Sequence, residues 1–256
     1  MDWKQKEKKH REGVLTFLWE EGFATAEQIK NHIFPHTSDK SLFHRRKLLK
    51  MQNKGLINRK QVLFSQSGVY YLTKTGWNTL DIPEAHRLSP TDKDKISVST
   101  GPHRLQVINA RLEIEKILSG APITKYYSER TIKLYPEPLL RKPDMLFISN
   151  NKKYVAEIEL TYRNSKKTKQ IIAYWAYAIQ KGKIDYCIFL SDTNAKTQRL
   201  QNIIQNQKNQ FIQISLPGIL FGQKQYRQEK ILIDKETLSK IRTGKIGDLT
   251  TELFSP

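Results

Sequence analysis

The sequence predicts a mixed α/β (α+β) fold in two parts, and three observations lead to this prediction. At 256 residues the chain is long enough for two domains. Its first third repeats apolar residues at helical spacing and ends in strand-like runs, whereas the later part follows the order α-β-β-β-α-β. A stretch rich in proline, serine and charge separates the two patterns. We therefore predict a domain over residues 1–82, a linker over 83–100 and a second domain over 101–256.

The charge of the chain is strongly positive, with a formal net charge of +19 and a pI of about 9.8. Both predicted domains contain more bases than acids, so we expect a polyanionic partner, with double-stranded DNA the leading choice. A single cysteine, Cys187, excludes an internal disulfide and a zinc-finger pattern and is typical of a reducing cytosol. The sequence contains neither an apolar run of about 18 residues, as a membrane span needs, nor an N-terminal signal-peptide pattern. A cytoplasmic protein without a membrane span is therefore expected.

The N-terminal domain begins with two predicted helices. The first has its apolar residues at Val14, Leu15, Phe17 and Leu18 and ends near Gly22. Thr25 followed by Gln28 is the pattern of a capping box, in which each side chain accepts a hydrogen bond from the other residue's backbone N–H. This pair predicts the start of the second helix, which Pro35 ends.

A third helix is predicted to run to about Asn53, with Ser38 or Asp39 as its N-cap and Gly55 as its C-terminal signal. Its polar residues are mostly basic. We assign DNA contact to them on that ground: His44, Arg45, Arg46, Lys47 and Lys50. A solvated helix face with no DNA contact is the alternative.

Two strand runs follow, at residues 56–59 and 69–72, with a polar loop between them and a short helix near Gly76. The run of residues 48–76 resembles the winged helix-turn-helix of many bacterial regulators. That resemblance implies that the third helix enters the major groove and that the hairpin touches the DNA backbone. A winged helix that serves only in protein docking or dimerisation stays open as an alternative.

The second domain is predicted from its alternating pattern of helices and strands. The expected elements are a helix over His103–Leu118, a strand region over Ile123–Tyr135, a hairpin, a helix over about Ser165–Gln180, a strand over Tyr186–Leu190, a helix over Thr193–Gln207 and a strand over Phe211–Ser215. Residues 216–256 add a strand and a short helix without a predicted place.

The hairpin at the centre of this domain combines Met145–Ser149 with Tyr154–Leu160 across the turn signal Asn150-Asn151. If the loop has two residues, Asp144 lies opposite Glu157; if it is two residues longer, Asp144 lies opposite Glu159. Because strand side chains alternate, either register gathers these three carboxylates on one side of the sheet. The other side is apolar and is expected to pack on a core.

Three convergent carboxylates repel one another unless protons or a cation lie between them. Oxygen ligands of this kind suit Mg²⁺ or Mn²⁺, and the many surrounding lysines and arginines suit a polyanion. A metal ion within a basic field is what phosphodiester hydrolysis requires. The sequence therefore predicts a metal site formed by Asp144, Glu157 and Glu159.

Pro143-Asp144, a thirteen-residue step and Glu157-Ile158-Glu159 together resemble the PD-(D/E)xK motif of restriction-endonuclease-like nucleases. That family usually has lysine where this chain has Glu159. The resemblance implies that Asp144 and Glu157 hold the metal ion and that Glu159 holds or orients it. One of Lys166, Lys167 and Lys169, which are otherwise expected to face solvent or phosphate, could replace the missing lysine.

Gln170 and Tyr174 resemble a Gln-x-x-x-Tyr signature of some PD-(D/E)xK members, and His103 resembles a further metal ligand of such members. The combination is similar to C-class plasmid mobilisation relaxases and to replication-relaxation proteins, which carry a winged helix before the nuclease-like domain. It implies a metal-dependent endonuclease that nicks DNA at a plasmid origin through a metal-activated water, with accessory mobilisation proteins as further partners. A non-catalytic plasmid replication or transcription regulator with a degenerate nuclease domain is the alternative, and a restriction or repair nuclease is a third.

Overall fold

The computed structural model describes residues 2–36, 42–83, 88, 96–161, 164–220 and 223–254. It has helices and three sheets, so the predicted mixed α/β class is confirmed. The chain divides into two compact units, residues 1–112 and 113–256. The division lies within helix α5 (Gly101–Ile117) and not in the predicted linker, because Leu105, Ile108 and Leu112 pack with the first unit's core.

The first unit contains a three-stranded antiparallel sheet, in the order β1-β3-β2, and its surrounding helices. The elements before α5 are α1 (Trp3–Glu21), β1 (Phe23–Ala24), α2 (Ala26–Ile33), α3 (Phe43–Asn53), β2 (Ile57–Val62), β3 (Ser65–Leu72) and α4 (Lys74–Asn78).

Local signals mark most helix ends of this unit. Gly22 ends α1 with φ +85°, and its amide donates to the Leu18 carbonyl. Thr25 and Gln28 form the predicted capping box at the start of α2. Gly55 follows α3 with φ +67°, a left-handed conformation that glycine adopts at low cost. The predicted caps of α3, Ser38 and Asp39, lie outside the described residues, and Leu42 occupies the N-cap position without a side-chain cap.

Buried polar contacts attach the first turns of α5 to this unit. The Gln28 amide donates to the Leu105 carbonyl and to Asn109 Oδ1, each at 2.8 Å. Arg111 Nη1 lies 2.7 Å from Glu20 Oε2 and also contacts Glu21, and both Arg111 and Glu21 are buried. These contacts explain why the first half of α5 belongs with the N-terminal helices.

The second unit is organised around a five-stranded sheet in the order β10-β7-β6-β5-β4. Strands β4, β5 and β6 are antiparallel, whereas β6, β7 and β10 are parallel. The elements are β4 (Ile123–Ser128), β5 (Met145–Ser149), β6 (Lys152–Glu159), α6 (Ser165–Gln180), β7 (Tyr186–Ser191), α7 (Asn194–Gln205), β8 (Gln210–Leu220), β9 (Gln223–Ile233), α8 (Lys235–Ser239) and β10 (Ile241–Lys245), with short 3₁₀ helices at Ile132–Leu134 and Thr251–Phe254.

Two predictions for this unit were wrong in extent. The strand expected over Ile123–Tyr135 ends at Ser128, whose amide donates to Thr131 Oγ1 at 2.8 Å and so turns the chain into a 3₁₀ helix. The strand expected over Phe211–Ser215 runs to Leu220 and pairs with β9 in a separate two-stranded sheet.

Residues 216–256, which had no predicted place, supply β9, α8 and β10. Strand β10 pairs in parallel with β7 and so forms one edge of the main sheet. None of the helices in the described part of the chain has the length and apolar character needed to cross a membrane.

The core that positions the site lies between one face of the sheet and α6. Leu146, Val155 and Cys187 project from three neighbouring strands and pack in one cluster with Ile172 and Trp175 of α6. The apolar stripe of α6, formed in the sequence by Ile171, Ile172, Trp175, Ala178 and Ile179, is therefore buried.

Candidate functional site

The β5–β6 hairpin turns on two asparagines in the left-handed region. Asn150 has φ +48° and Asn151 has φ +58°, as a two-residue type I′ turn requires. Ser149 pairs with Lys152 and Met145 pairs with Ala156. The shorter of the two predicted registers is therefore confirmed, and it places Asp144, just before β5, opposite Glu157.

Asp144 is half-buried at the start of β5. Its Oδ2 accepts a hydrogen bond of 2.7 Å from the backbone N–H of Ile158. This contact ties the carboxylate to the adjoining strand, one residue past Glu157, and so sets its orientation.

Glu157 is only 3% exposed, and both of its oxygens accept hydrogen bonds. Arg141 Nε donates to Oε1 at 3.0 Å, and Arg141 Nη2 donates to Oε2 at 3.3 Å. The indole Nε1–H of Trp175 donates to Oε1 at 3.0 Å. A guanidinium that pairs with a carboxylate through two parallel hydrogen bonds gives a strong, oriented ion pair.

Burial raises the pKa of Glu157 above its ordinary value; the hydrogen bonds from Arg141 act against this rise, and the charge of Asp144 adds to it. Burial alone would lower the pKa of Arg141. The hydrogen bond and charge of Glu157 and the charge of Asp144 outweigh this effect, so the pKa of Arg141 is raised as well. Burial, and then the charge of Glu157, also raises the pKa of the nearby Cys187 thiol well above its usual range. Arg141 thus pairs directly with Glu157 and places a positive charge close to Asp144.

Glu159 is buried on the same side of β6 as Glu157, and its Oε1 accepts a hydrogen bond of 3.4 Å from Thr161. The Cα atoms of the two glutamates are about 7 Å apart along the strand. Arg141 and Trp175 hold the side chain of Glu157 by hydrogen bonds. Within the described ranges, no group of three or more His, Cys, Asp or Glu side chains could hold a metal ion. The expected cluster of three ligands is therefore not formed.

Ala156 and Ile158 lie on the opposite side of β6 from Glu157 and Glu159, as the alternation of strand side chains predicted. Ala156 and Ile158 are buried, as expected. The carboxylate side is buried as well, because α6 covers it through Trp175.

These residues do not fit the divalent metal ion that the resemblance implies. Mg²⁺ is usually bound through one or two protein carboxylates together with several waters. Both oxygens of Glu157 already accept hydrogen bonds from Arg141, whose positive charge would repel a second cation. His103, the further predicted ligand, is half-buried in the first turn of α5, within the N-terminal unit.

The predicted positioning residues lie elsewhere on α6. Gln170 is exposed, and Tyr174 is half-buried against a cluster that contains Ala173, Ile214 and Ile231. The basic residues at the start of α6 differ in exposure, since Lys166 and Lys167 are exposed whereas Lys169 is half-buried.

The predicted DNA-contacting residues of α3 lie on different sides of the helix. Arg45, Arg46 and Lys50 are exposed. Lys47 is half-buried, and His44 is only 4% exposed. His44 lies on the buried side of α3 with Leu48 and Met51, so its placement on the exposed basic face was wrong.

Two residues of the acidic site were missed in the sequence. Arg141 is one of many basic residues around the hairpin, and Trp175 falls in the apolar stripe of α6, so the sequence pattern assigns neither of them to the carboxylates. The second omission was avoidable, since a buried indole N–H usually has a hydrogen-bond acceptor. The acceptor here is Glu157.

Replacing Trp175 with phenylalanine tests the buried hydrogen bond. We expect the Trp175→Phe variant to lose about 1 to 2 kcal/mol of unfolding free energy, because an aromatic ring is kept while a donor to a buried carboxylate is removed. Urea denaturation followed by circular dichroism measures the loss. The same substitution in a Glu157→Gln background should cost less, and an equal cost in both backgrounds would assign the effect to packing alone.

Comparison with protein families matches the replication-relaxation family model to residues 15–182, which is more than half of the chain. The matched region includes α3, the β5–β6 hairpin and α6. Comparisons with curated proteins and with solved structures gave no match.

Proposed function

The chain belongs to the replication-relaxation family, and from this premise we propose that it binds double-stranded DNA in plasmid replication or mobilisation without cleaving the DNA at Asp144 and Glu157. The family and the net charge of +19 support a DNA partner. The observation that favours binding over cleavage is the ion pair of Arg141 with Glu157.

The first unit supports DNA binding through a winged-helix arrangement. Its helices are followed by the β2–β3 hairpin, and α3 exposes Arg45 and Arg46. In such an arrangement the third helix enters the major groove and the hairpin lies along the backbone. The hairpin is braced for this role, because Arg59 of β2 donates two hydrogen bonds to the Ser67 carbonyl of β3, at 2.6 and 3.0 Å.

We take the second unit as a nuclease-like core that does not cut DNA. Its chain order α5-β4-β5-β6-α6-β7 supports this, since it follows the α-β-β-β-α-β order expected of such a core. Lys166 and Lys167 are exposed at the start of α6 and could contact phosphates there. Arg141 supplies a positive charge to Glu157, in the role that a bound metal ion would have in an active nuclease.

A second candidate function is metal-dependent nicking with Mg²⁺ or Mn²⁺. One observation favours it: Asp144 is held in a fixed orientation opposite Glu157, as the nuclease motif requires. Asp144 and Glu157 would hold the ion, and the bound ion would polarise the phosphoryl group. Glu159 would orient the ion, and Gln170 and Tyr174 would position the substrate. Arg141 would first have to release Glu157, so this function requires a rearrangement around the pair.

A nicking assay on supercoiled plasmid distinguishes the two functions. We expect the full chain to retard the plasmid in a gel but not to nick it, with Mg²⁺ or with Mn²⁺. Plasmids with and without a transfer or replication origin should both stay supercoiled. The Asp144→Asn variant should bind like the parent, because the substitution keeps the shape of the side chain.

Nicking that depends on the metal ion, stops with a chelator and is lost in Asp144→Asn would establish the second candidate instead. Failure of the parent to bind any duplex would contradict both functions.

A further inference from the structure

A basic pocket lies between the N-terminal half of α1 and one side of α3. Its volume is about 180 Å³. Six lysine and arginine residues line it, together with a single acid, Glu7. The six bases are Lys4, Lys8, Arg11, Lys47, Lys50 and Lys54. Such a concentration of one charge sign in a concave site creates a strong positive potential.

Glu7 occupies the α3 side of this pocket as an internal anion. Its Oε1 lies 2.6 Å from Lys50 Nζ and 3.6 Å from Lys47 Nζ, so one carboxylate oxygen serves two ammonium groups. The hydrogen bond from Lys50 is the main reason that the pKa of Glu7 is lowered. Glu7 therefore stays ionised at neutral pH and screens the two lysines.

Lys47 is held in place from several directions. Its Nζ lies 5.3 Å from the ring centre of Trp3 and 5.4 Å from that of Phe43, both within cation–π range. Burial, and then the charges of Lys6, Lys47 and Lys9, lower the pKa of His10, which also lines the pocket. Lys47 is thus positioned before any ligand arrives.

We propose that this pocket binds a phosphate group of the DNA backbone and that Glu7 is its intramolecular competitor in the free protein. This inference rests on the proposed DNA-binding function and deepens it. In the free protein, Glu7 contacts Lys47 and Lys50 through a single oxygen. A phosphate would offer several acceptor oxygens to the same two lysines. The pocket extends the DNA contact from α3 onto α1, where Lys4, Lys8 and Arg11 lie.

The Glu7→Gln variant tests the competition. We expect it to bind a fluorescein-labelled DNA duplex about fivefold more tightly than a matched control, because the charge that competes with phosphate for Lys47 and Lys50 is removed. The slope of log affinity against log salt should steepen by about one, since one more phosphate contact releases about one more counterion. Fluorescence anisotropy over a series of salt concentrations measures both quantities.

The matched control is Glu27→Gln. Glu27 lies in the same unit and pairs with Lys30 at 3.5 Å, and neither residue lines the pocket, so this variant makes the same change in net charge away from the pocket. Adding Lys47→Gln to Glu7→Gln should remove the gain. Circular dichroism verifies that each variant is folded, and Glu7→Ala provides a second variant with the same expected gain.

The outcomes separate the pocket from the proposed function. Equal affinities of Glu7→Gln and Glu27→Gln for the duplex would overturn the pocket assignment, whereas a parent that binds no DNA would overturn the proposed function. Titration with inorganic phosphate separates the two sources of the ligand. Tighter binding of inorganic phosphate by Glu7→Gln, without a gain for DNA, would assign the pocket to a free phosphate compound and overturn its role in DNA binding.

Discussion

Replacing Arg141 with alanine is expected to lower the unfolding free energy of the protein by about 2 to 3 kcal/mol. Removing one partner of a buried ion pair typically costs about 3 to 5 kcal/mol, because the other charge is left uncompensated. The side chain of Glu157 is 4% exposed, whereas that of Arg141 is 33% exposed, so solvent reduces the effect at Arg141. Asp144 increases the cost, since its charge raises the pKa of Glu157.

The effect of Arg141→Ala should depend on pH in a definite direction. The pKa of Glu157 is raised in the folded parent, chiefly by burial, and the loss of Arg141 removes the main interaction that opposes this rise. A carboxyl whose pKa is raised on folding favours the folded state below its unfolded pKa and loses that contribution as the pH rises through its folded pKa. The deficit of the variant should therefore shrink as the pH falls from neutral towards the ordinary glutamate range.

Urea unfolding at several pH values measures this difference. Lys142→Ala is a suitable control, because Lys142 is the next residue and pairs with Glu129 at 3.2 Å on the exposed surface. The control should change the unfolding free energy by no more than about 0.5 kcal/mol. Equal stabilities of Arg141→Ala and Lys142→Ala would contradict the role of Arg141 as the internal cation.

Replacing both Arg45 and Arg46 with alanine is expected to weaken binding to a DNA duplex by about tenfold or more. Both side chains are exposed on α3, and an arginine that contacts DNA typically contributes about 1 to 3 kcal/mol when it reads a base. If both contact phosphates, the salt slope should fall by about two, since each contact releases about one counterion. Fluorescence anisotropy at several salt concentrations gives the affinity and the slope together.

A control for charge alone is the pair Lys181→Ala and Lys183→Ala, which removes two exposed bases just after α6. It should change the affinity much less than the α3 variant does. If the two double variants lose affinity to the same extent, DNA recognition does not depend on α3.

Features that depend on neighbouring residues were predictable from the sequence. The Thr25–Gln28 capping box and the glycine ends of α1 and α3 involve residues within a few positions of one another. The same holds for the Asn150-Asn151 turn, which sets the register of the β5–β6 hairpin. Side-chain alternation along the strand then placed Asp144 opposite Glu157.

The extent of each unit depended on contacts between distant residues. Leu105 and Ile108 were expected in the second domain, but they pack with the N-terminal core. Strand β10 was not predicted at the sheet edge, because its parallel pairing with β7 joins segments about 50 residues apart and no local turn specifies the register.

The sequence by itself determined the basic charge, the mixed α/β class and the acidic pair at the hairpin. Only the tertiary structure decided what neutralises that pair. Arg141 reaches Glu157 from 16 residues before it in the chain, and Trp175 reaches it from 18 residues after it. A sequence pattern shows that carboxylates converge. The cation and the hydrogen-bond donors beside them depend on how the preceding loop and α6 pack over the sheet. The reason is that a buried charge is stabilised by whichever groups lie within hydrogen-bonding distance of it.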